Sequence, residues 1–248
     1  KEMGDFERVR VHLMEHYLLS KEKAALAIDI LKYQLSELGR PAVKSLGVYI
    51  GIPFCPTRCL YCSFTSNQVK DSEIERYLVT LLEEIRYAGR AAREDGYTVE
   101  SVYIGGGTPT TLNSGQLDIL LQTVEESFDL SSCREFTVEG GRPDTITMDK
   151  LQVLKRHNVD RISINPQTMK EETLELIGRR HSVQQVRDAF GLAREADIVT
   201  VNADLIAGLP EETIEDFRAS LDEIIELGAS NVTLHTLSVK RASRLKEY

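Results

Sequence analysis

Residues 46–64, LGVYIGIPFCPTRCLYCSF, run from an apolar segment directly into a loop that holds three of the chain's four cysteines. Disulfides use thiols in pairs and a closed structural zinc site uses four ligands, so three is an unusual number. Three thiolates suit an iron–sulfur cube that keeps one iron open for a small chelating molecule. The C-x3-C-x2-C spacing of Cys55, Cys59 and Cys62 favours such a cluster. It leaves open a zinc ion completed by a distant His or Asp, or simply buried thiols.

Around this loop, apolar β-branched segments alternate with helical patterns. The predicted strands are 46–52, 99–104, 134–139, 159–164, 198–206 and 231–237, and the predicted helices are 72–94, 114–128, 147–157, 170–178, 182–196 and 213–227. Nearly all-apolar strands separated by helices indicate parallel pairing with right-handed crossovers. Six such units predict a partial (β/α)6 TIM-like barrel, with a doubly wound open sheet as the alternative.

The segment before the first strand is predicted to be helical. Apolar residues recur at helical spacing through residues 5–38, and Gly39 followed by Pro41 ends the pattern. We therefore expect a helical segment at 1–42 and the barrel at 43–248. Capping residues are expected at the starts of later helices, at Asp71, Ser72 and Ser114.

Composition narrows the class of protein. The 248 residues suit one large α/β domain, and a net charge of -9 argues against nucleic-acid binding. No apolar run approaches the ~18 residues that span a bilayer, so no membrane span is expected. The cysteine usage favours a reducing, cytoplasmic location.

Unusual residues follow the predicted strands, where βα loops of such folds gather their chemistry. The segments GGGTPT (105–110), EGGRPD (139–144), NPQ (165–167) and AGLP (207–210) each follow a strand, and His235 lies near the end of the sixth. The glycines allow a close approach of backbone to ligand, although they fail the dinucleotide pattern G-x-G-x-x-G. Glu139, Gln167, Arg179 and Asp204 are candidate polar ligands, each with an ordinary surface role as its alternative.

Two other features are expected to be structural. Cys133 stands alone at a strand start and is predicted to be a small apolar residue. His12-Leu13-Met14-Glu15-His16 matches the inverted zinc-protease pattern H-x-x-E-H, but it lies far in sequence from every loop above. A charged, solvated helix face is therefore the favoured interpretation of this motif.

Together these motifs resemble the radical S-adenosylmethionine (SAM) superfamily, and more narrowly its oxygen-independent coproporphyrinogen III oxidase branch. The resemblance covers about residues 43–240. Its residues are YIGIPFC (49–55) with CPTRCLYC (55–62), GGGTPT, RPDT (142–145), RISI (161–164) with Gln167, and DLIAGLP (204–210).

The resemblance implies a fold, two cofactors and a reaction. It implies a partial barrel in which Cys55, Cys59 and Cys62 hold a [4Fe–4S] cluster that SAM chelates at its fourth iron. The implied SAM-binding residues are Tyr49, Tyr61, Gly106, Gly107, Thr108, Glu139, Gln167, Arg179 and Asp204. The implied reaction is radical decarboxylation of coproporphyrinogen III propionates to vinyl groups, giving protoporphyrinogen IX without oxygen. Its partners would be a tetrapyrrole and an electron donor such as flavodoxin or ferredoxin.

Other functions remain open on the same fold. They are a haem-trafficking chaperone and radical SAM methyl transfer to a tetrapyrrole. The chain departs from the family pattern at Gly51, where the best-known oxidases have histidine, and at Phe64, where they have a further cysteine. A family member is also expected to continue into a C-terminal region after the sixth strand. Candidate cations for an anionic substrate are Arg142, Arg180, Lys240, Arg241 and Arg244.

Overall fold

The computed structural model describes residues 5–39 and 42–247, which fall into two compact units, Lys1–Ser45 and Leu46–Tyr248. In the first unit, helix α1 spans Phe6–His16 and helix α2 spans Lys21–Leu38. The prediction of one continuous helix over 5–38 is therefore wrong. Leu18 adopts a left-handed φ of 55°, and the Ser20 side chain caps α2 by accepting from the Lys23 amide at 3.3 Å.

The H-x-x-E-H motif lies on α1. His12 and His16 are exposed, and their rings stack with centroids 4.9 Å apart, as expected for positions one helical turn apart. Nowhere in residues 5–39 or 42–247 do three His, Cys, Asp or Glu side chains converge on a position for a single metal ion. The structure thus agrees with a solvated helix face.

The second unit alternates strands and helices. Its strands are β1 (Ser45–Ile52), β2 (Thr98–Gly106), β3 (Glu135–Gly141), β4 (Arg161–Ile164), β5 (Thr200–Ala207) and β6 (Asn231–Thr236). Its helices are α3 (Asp71–Glu94), α4 (Ser114–Ser127), α5 (Met148–Arg156), α6 (Glu171–Leu176), α7 (Val183–Glu195) and α8 (Ile214–Glu226). Every predicted strand and helix of this unit is present, with ends shifted by a few residues.

The six strands form one sheet in the order β1-β2-β3-β4-β5-β6, with parallel pairing from β2 through β6. A doubly wound sheet requires the strand order to reverse at a switch point, and this order never reverses. The fold is therefore an α/β half-barrel, as the six predicted βα units indicated, and not a doubly wound sheet. The carboxyl ends of all its strands lie at one edge, which is where the βα loops meet.

Strand alternation divides the two faces of the sheet. Ile50, Ile52, Val102 and Ile104 belong to the main apolar core, together with residues of the covering helices such as Leu78, Leu117 and Leu121. Tyr49, Tyr103 and Glu139 take the alternate positions and lie on the opposite, inner face. Cys133 packs against the core, consistent with its expected apolar role.

Helix starts differ in detail from the prediction. Ser114 is the first residue of α4, and Asn113 is its cap, exchanging hydrogen bonds with Gln116 in a capping box. Likewise, Asp71 is the first residue of α3, which follows Lys70. Ser182 and Thr213 cap α7 and α8 in the same way as Asn113.

Candidate functional site

Three thiols follow β1 in the cysteine loop, residues 53–64. Cys59 is buried, and Cys55 and Cys62 are half-buried. Burial raises the pKa of both Cys55 and Cys62, so these thiols hold their protons until a metal displaces them. They are therefore poor free nucleophiles, and a metal that binds them must release their protons.

The cysteine loop is held from several directions by main-chain hydrogen bonds. Cys55 donates to the Asn67 oxygen at 3.1 Å, and Leu60 donates to the Ile177 oxygen at 2.9 Å. Leu245 in turn donates to the Leu60 oxygen at 2.8 Å. Contacts this distant in sequence fix where the thiols point.

The glycine turn, residues 105–111, packs directly against this loop. The Gly107 and Thr108 amides donate to the Ile52 and Phe54 oxygens at 2.8 and 2.7 Å. A Cβ at position 107 would lie 2.5 Å from the Phe54 oxygen and 3.0 Å from the Cys55 sulfur, so only glycine fits. The Thr108 hydroxyl also lies 3.3 Å from the Cys55 sulfur. The glycines therefore bring two loops together as well as exposing backbone.

Two carboxylates lie at the inner face of the sheet. Glu139 ends the regular part of β3, just before an irregularity in its register with β4 between Glu139 and Gly141. Irregularities of this kind re-aim side chains beside active sites. Burial raises the pKa of Glu139, and the nearby Asp204 raises it further. Asp204 accepts from the Asn202 amide at 2.7 Å and lies 3.6 Å from the His235 imidazole.

Gln167 is held in a rare backbone conformation. Its φ is +74°, a left-handed value that residues other than glycine seldom adopt. Its main-chain amide donates to the main-chain oxygen of Asp204 at 3.0 Å, and its main-chain oxygen accepts from the Ile206 amide at 2.9 Å. Gln167 therefore continues the hydrogen-bond ladder between β4 and β5. Strain of this kind persists where surrounding structure enforces it, and it is often found at ligand sites.

Arg179 lies in the loop between α6 and α7, and its side chain extends to the cysteine loop. Its guanidinium donates to the Asn165 main-chain oxygen at 2.7 Å and to the Tyr61 hydroxyl at 3.0 Å. Its Nε and the Asn165 side-chain oxygen are buried without a partner among the described residues. Buried polar atoms of this kind are expected to bind a ligand or water.

The prediction that Arg142 is free to receive a substrate carboxylate is wrong. Arg142 is only 2% exposed, and it pairs with Asp144 through two hydrogen bonds of 2.9 Å. It also donates to the Thr57 hydroxyl in the cysteine loop. Since each guanidinium nitrogen already has a partner, Arg142 stabilises the loop rather than presenting a charge.

All twelve residues predicted for cluster and SAM binding line one cavity of about 440 Å³. They are Tyr49, Cys55, Cys59, Tyr61, Cys62, Gly106, Gly107, Thr108, Glu139, Gln167, Arg179 and Asp204. Phe64, 72% exposed, and Lys240 also line it. Thr57, which also lines the cavity, and Tyr103, which holds Glu139, were not predicted from the sequence. Their parts depend on strand register and loop packing, which carry no motif.

A second cavity, of about 610 Å³, lies beside the first, and Thr57 and Arg179 line both. We call it the basic cleft. Three exposed arginines line it, Arg58 of the cysteine loop, Arg180 and Arg244, and two exposed glutamates, Glu171 and Glu175, lie on the same wall. Two of the five substrate-binding candidates, Arg180 and Arg244, thus line this cleft and not the main cavity.

The donor set fits an iron–sulfur cluster with a polar ligand. Three thiols that a metal must deprotonate stand at one end of the main cavity. A glycine-walled backbone lies beside them, and unpartnered polar atoms of Asn165 and Arg179 lie at its side.

Comparison with known proteins identifies the class. The family model of the radical SAM superfamily matches residues 49–224. The oxygen-independent coproporphyrinogen-III oxidase-like protein HemZ of Bacillus subtilis (strain 168) is 41% identical over 245 residues, covering 96% of this chain and 49% of the relative. The heme chaperone HemW of the same strain is 34% identical over 197 residues, covering 77% and 50%.

A solved structure agrees. Coproporphyrinogen III oxidase HemN from Escherichia coli, described as a radical SAM enzyme, superposes with a TM-score of 0.72 at 27% identity, over 86% of this chain and 51% of that chain. The chain belongs to the radical SAM superfamily, whose cofactors are a [4Fe–4S] cluster and SAM. Its relatives there include coproporphyrinogen oxidase-like proteins and haem chaperones. The chain spans about half the length of the curated relatives it matches. Within the described residues, no helix combines the length and apolarity that crossing a bilayer requires.

Proposed function

We propose that this chain is the catalytic half-barrel of an oxygen-independent coproporphyrinogen III oxidase. It would convert substrate propionates to vinyl groups and give protoporphyrinogen IX. The observation that carries the proposal is the main cavity, in which three thiols face glycines, two carboxylates and an arginine at the open edge of the sheet. The similarity to HemZ over nearly the whole chain supports the substrate class.

The residues divide into two sets. Cys55, Cys59 and Cys62 would hold the cluster. Glu139 and Asp204 would bind cationic and hydroxyl groups of SAM, Arg179 its carboxylate, and Gln167 a further polar group. Gly106, Gly107 and Thr108 would line its methionine end, with Tyr49 and Tyr61 packing against it. When bound, the two cofactors supply a reactive carbon radical that takes a hydrogen atom from an unactivated C–H bond.

The protein's part is to position the substrate and exclude water. The β-carbon of a substrate propionate loses a hydrogen atom to the carbon radical. The resulting substrate radical releases CO2 and passes one electron to an external electron acceptor, which leaves the vinyl group. Ile206, Leu237 and Phe64 give the main cavity apolar walls that would keep water from the radical. Lys240 lines the same cavity, and Arg241 is its exposed neighbour in sequence. We assign the substrate's carboxylates to these two cations.

Reduction of the iron–sulfur cluster requires an external electron donor, and the proposal includes a flavodoxin or ferredoxin in that role. The basic cleft supports a docking place for such an acidic protein. It is lined by Arg58 and Leu60 of the cysteine loop and shares Thr57 and Arg179 with the main cavity, so a protein docked there would lie against the loop that carries the thiols. Basic surface in a chain of net charge -9 would also steer an acidic partner.

A haem-carrying function is the second candidate, and the similarity to HemW favours it. One assay separates the two. The protein carrying this chain is loaded with iron and sulfide anaerobically, then mixed with SAM, a reductant and coproporphyrinogen III. The proposal expects CO2 and 5′-deoxyadenosine to form in proportion to substrate consumed. Tight haem binding with no CO2 release would replace the oxidase with the carrier.

A further inference from the structure

Gly105, the first glycine of the glycine turn, does not line the main cavity, although the next two glycines, Gly106 and Gly107, do. A Cβ on Gly105 would lie 2.7 Å from the ring of Tyr103 and 3.1 Å from the carboxylate of Glu139. Gly105 therefore leaves room for these two side chains to meet across its α-carbon. Each of the three glycines in this turn avoids a different steric clash, and at Gly105 the clash would be with the pair Tyr103 and Glu139.

The Tyr103 hydroxyl donates a hydrogen bond to one carboxylate oxygen of Glu139. Tyr103 stands opposite Thr137 in the parallel register of β2 and β3, so Glu139 lies two positions further along the neighbouring strand. A ring of this length spans that diagonal. The Tyr103 ring is itself supported by Tyr49, which stacks on it at a centroid distance of 5.9 Å and an interplanar angle of 12°.

Only Glu139 and Tyr49 of this group line the main cavity, whereas Tyr103 lies behind them. A carboxylate has two oxygens, and Tyr103 occupies one of them. With one oxygen held by Tyr103, the carboxylate keeps a fixed orientation, and an ionised carboxylate has further acceptor positions for a ligand.

We infer that Tyr103 is a positioning residue that fixes the Glu139 carboxylate for a cationic ligand group. This inference rests on the proposed function, in which Glu139 binds a positively charged group of SAM. Tyr103 does not line the main cavity, and it acts through Glu139.

The surroundings of Glu139 explain why a donor is needed. Burial and the charge of Asp204 on β5 raise the pKa of Glu139, whereas the Tyr103 hydrogen bond and the Gly106 amide lower it. The other titratable groups facing this region are Tyr49 on β1 and, beyond Asp204, His235 on β6. Ser163 of β4 lies opposite Glu139 and carries no charge. Tyr103 is thus a neutral donor that opposes the effects of burial and of Asp204.

The test is SAM binding to the anaerobically loaded protein without reductant, so that no SAM is cleaved. Equilibrium dialysis of labelled SAM is run from about pH 5 to about pH 8, a range that begins near the ordinary pKa of a glutamate carboxyl. Tyr103→Phe removes the hydroxyl and keeps the ring. Losing a hydrogen bond to a charged group corresponds to about tenfold weaker binding near neutral pH. Because the pKa of Glu139 rises in the variant, binding strengthens through a midpoint at higher pH than in the wild type, and the deficit shrinks in alkaline solution.

A second variant and two controls keep the test decisive. Gly105→Ala is expected to push Tyr103 from Glu139 and to weaken binding in the same pH-dependent way. Tyr87→Phe, on the exposed face of α3, and Gly191→Ala, where a Cβ meets open space, are expected to match the wild type.

The outcomes separate this inference from the proposed function. If Glu139→Gln leaves SAM affinity unchanged, the assignment of Glu139 to SAM fails, and with it the inference. If Glu139→Gln weakens binding while Tyr103→Phe matches the wild type at every pH, the inference alone is overturned. A loss in Tyr103→Phe that is equal at all pH values also overturns it, because a packing defect would give that result.

Discussion

Arg179 and Tyr61 are joined by a hydrogen bond of 3.0 Å although they lie 118 residues apart in sequence. The same guanidinium donates to the Asn165 main-chain oxygen at 2.7 Å. One buried side chain therefore ties the cysteine loop to the end of β4 and to the loop before α7. This link makes Arg179 both a candidate ligand and a fixed part of the cavity wall.

Replacing Arg179 is predicted to weaken SAM binding. Charge-assisted hydrogen bonds contribute roughly 1.5–3 kcal/mol, so Arg179→Ala should weaken affinity by about one to two decades. Arg179→Lys should show much of the same loss, because a lysine ammonium cannot reproduce the planar fork that serves two acceptors. Equilibrium dialysis on the loaded protein measures this. Arg187→Ala, which removes an exposed arginine from α7, is the control, and wild-type affinity in Arg179→Ala would contradict the assignment.

Gly107→Ala is predicted to impair cluster loading. The new Cβ would meet the main-chain oxygen of Phe54 at 2.5 Å, and backbone atoms held by hydrogen bonds do not yield easily. Overpacking of this kind costs about 1–3 kcal/mol. We expect a lower melting temperature and less iron per chain after reconstitution. Gly191→Ala is the matched control, since it introduces the same methyl group into open space. Equal iron content in both variants would show that the close approach at Gly107 is dispensable.

His181 is predicted to make the barrel acid-sensitive. It is 2% exposed, and neither ring nitrogen has a partner among the described residues. Burial, with the charges of Arg179 and Arg142, lowers the pKa of His181 to about 3, from a usual 6.5. Below pH 6.5, His181 therefore binds a proton in the unfolded chain but stays neutral in the folded chain. The free energy of unfolding falls as the pH drops towards 3.

The matching measurement compares wild type with His181→Phe in urea at about pH 7 and about pH 5. His181 contributes a loss of about 1.4 kcal/mol per pH unit below its unfolded pKa, so the wild type should lose roughly 2 kcal/mol more than the variant. Identical losses in the two proteins would mean that His181 takes up its proton in the folded state.

Reversing a charge in the basic cleft is predicted to slow reduction by a protein donor. Arg180→Glu should reduce the rate of SAM cleavage with reduced flavodoxin by about tenfold at low salt, because steering by opposite charge is lost. With dithionite as reductant the rate should be unchanged. Arg90→Glu on α3 makes the same charge change at an exposed site outside the cleft. An equal slowing with dithionite would place the defect in the cysteine loop instead of in docking.

Local patterns were enough to predict the sheet, and the family resemblance supplied the residues that line the main cavity. Alternating strands and helices gave six βα units, and the residues after each strand converge because parallel strands end at one edge. The break after Tyr17 was missed, since apolar periodicity continues across it while Ser20 caps a new helix. The sequence also did not show which side chains pair with the candidate cations. Arg142 was a candidate for a substrate carboxylate, but in the structure it pairs with Asp144 and Thr57.

Tyr103 shows the same limit from the other side. Its contact with Glu139 depends on the register of β2 against β3, and register is set by packing over the whole sheet. A sequence pattern places a tyrosine on the inner face but does not give its neighbour. The residues that line the main cavity were therefore easier to predict than the residues that hold them in place.

The central claim is that three cysteines of one loop hold a four-iron cluster, and iron and acid-labile sulfide content after anaerobic reconstitution tests it most directly. The account predicts about four iron and four sulfide per chain, as in other [4Fe–4S] proteins. Cys55→Ala, Cys59→Ala and Cys62→Ala should each lose the cluster, while Cys133→Ala, at a core-packed thiol outside the cavity, should keep it. One zinc per chain with no sulfide would contradict the account.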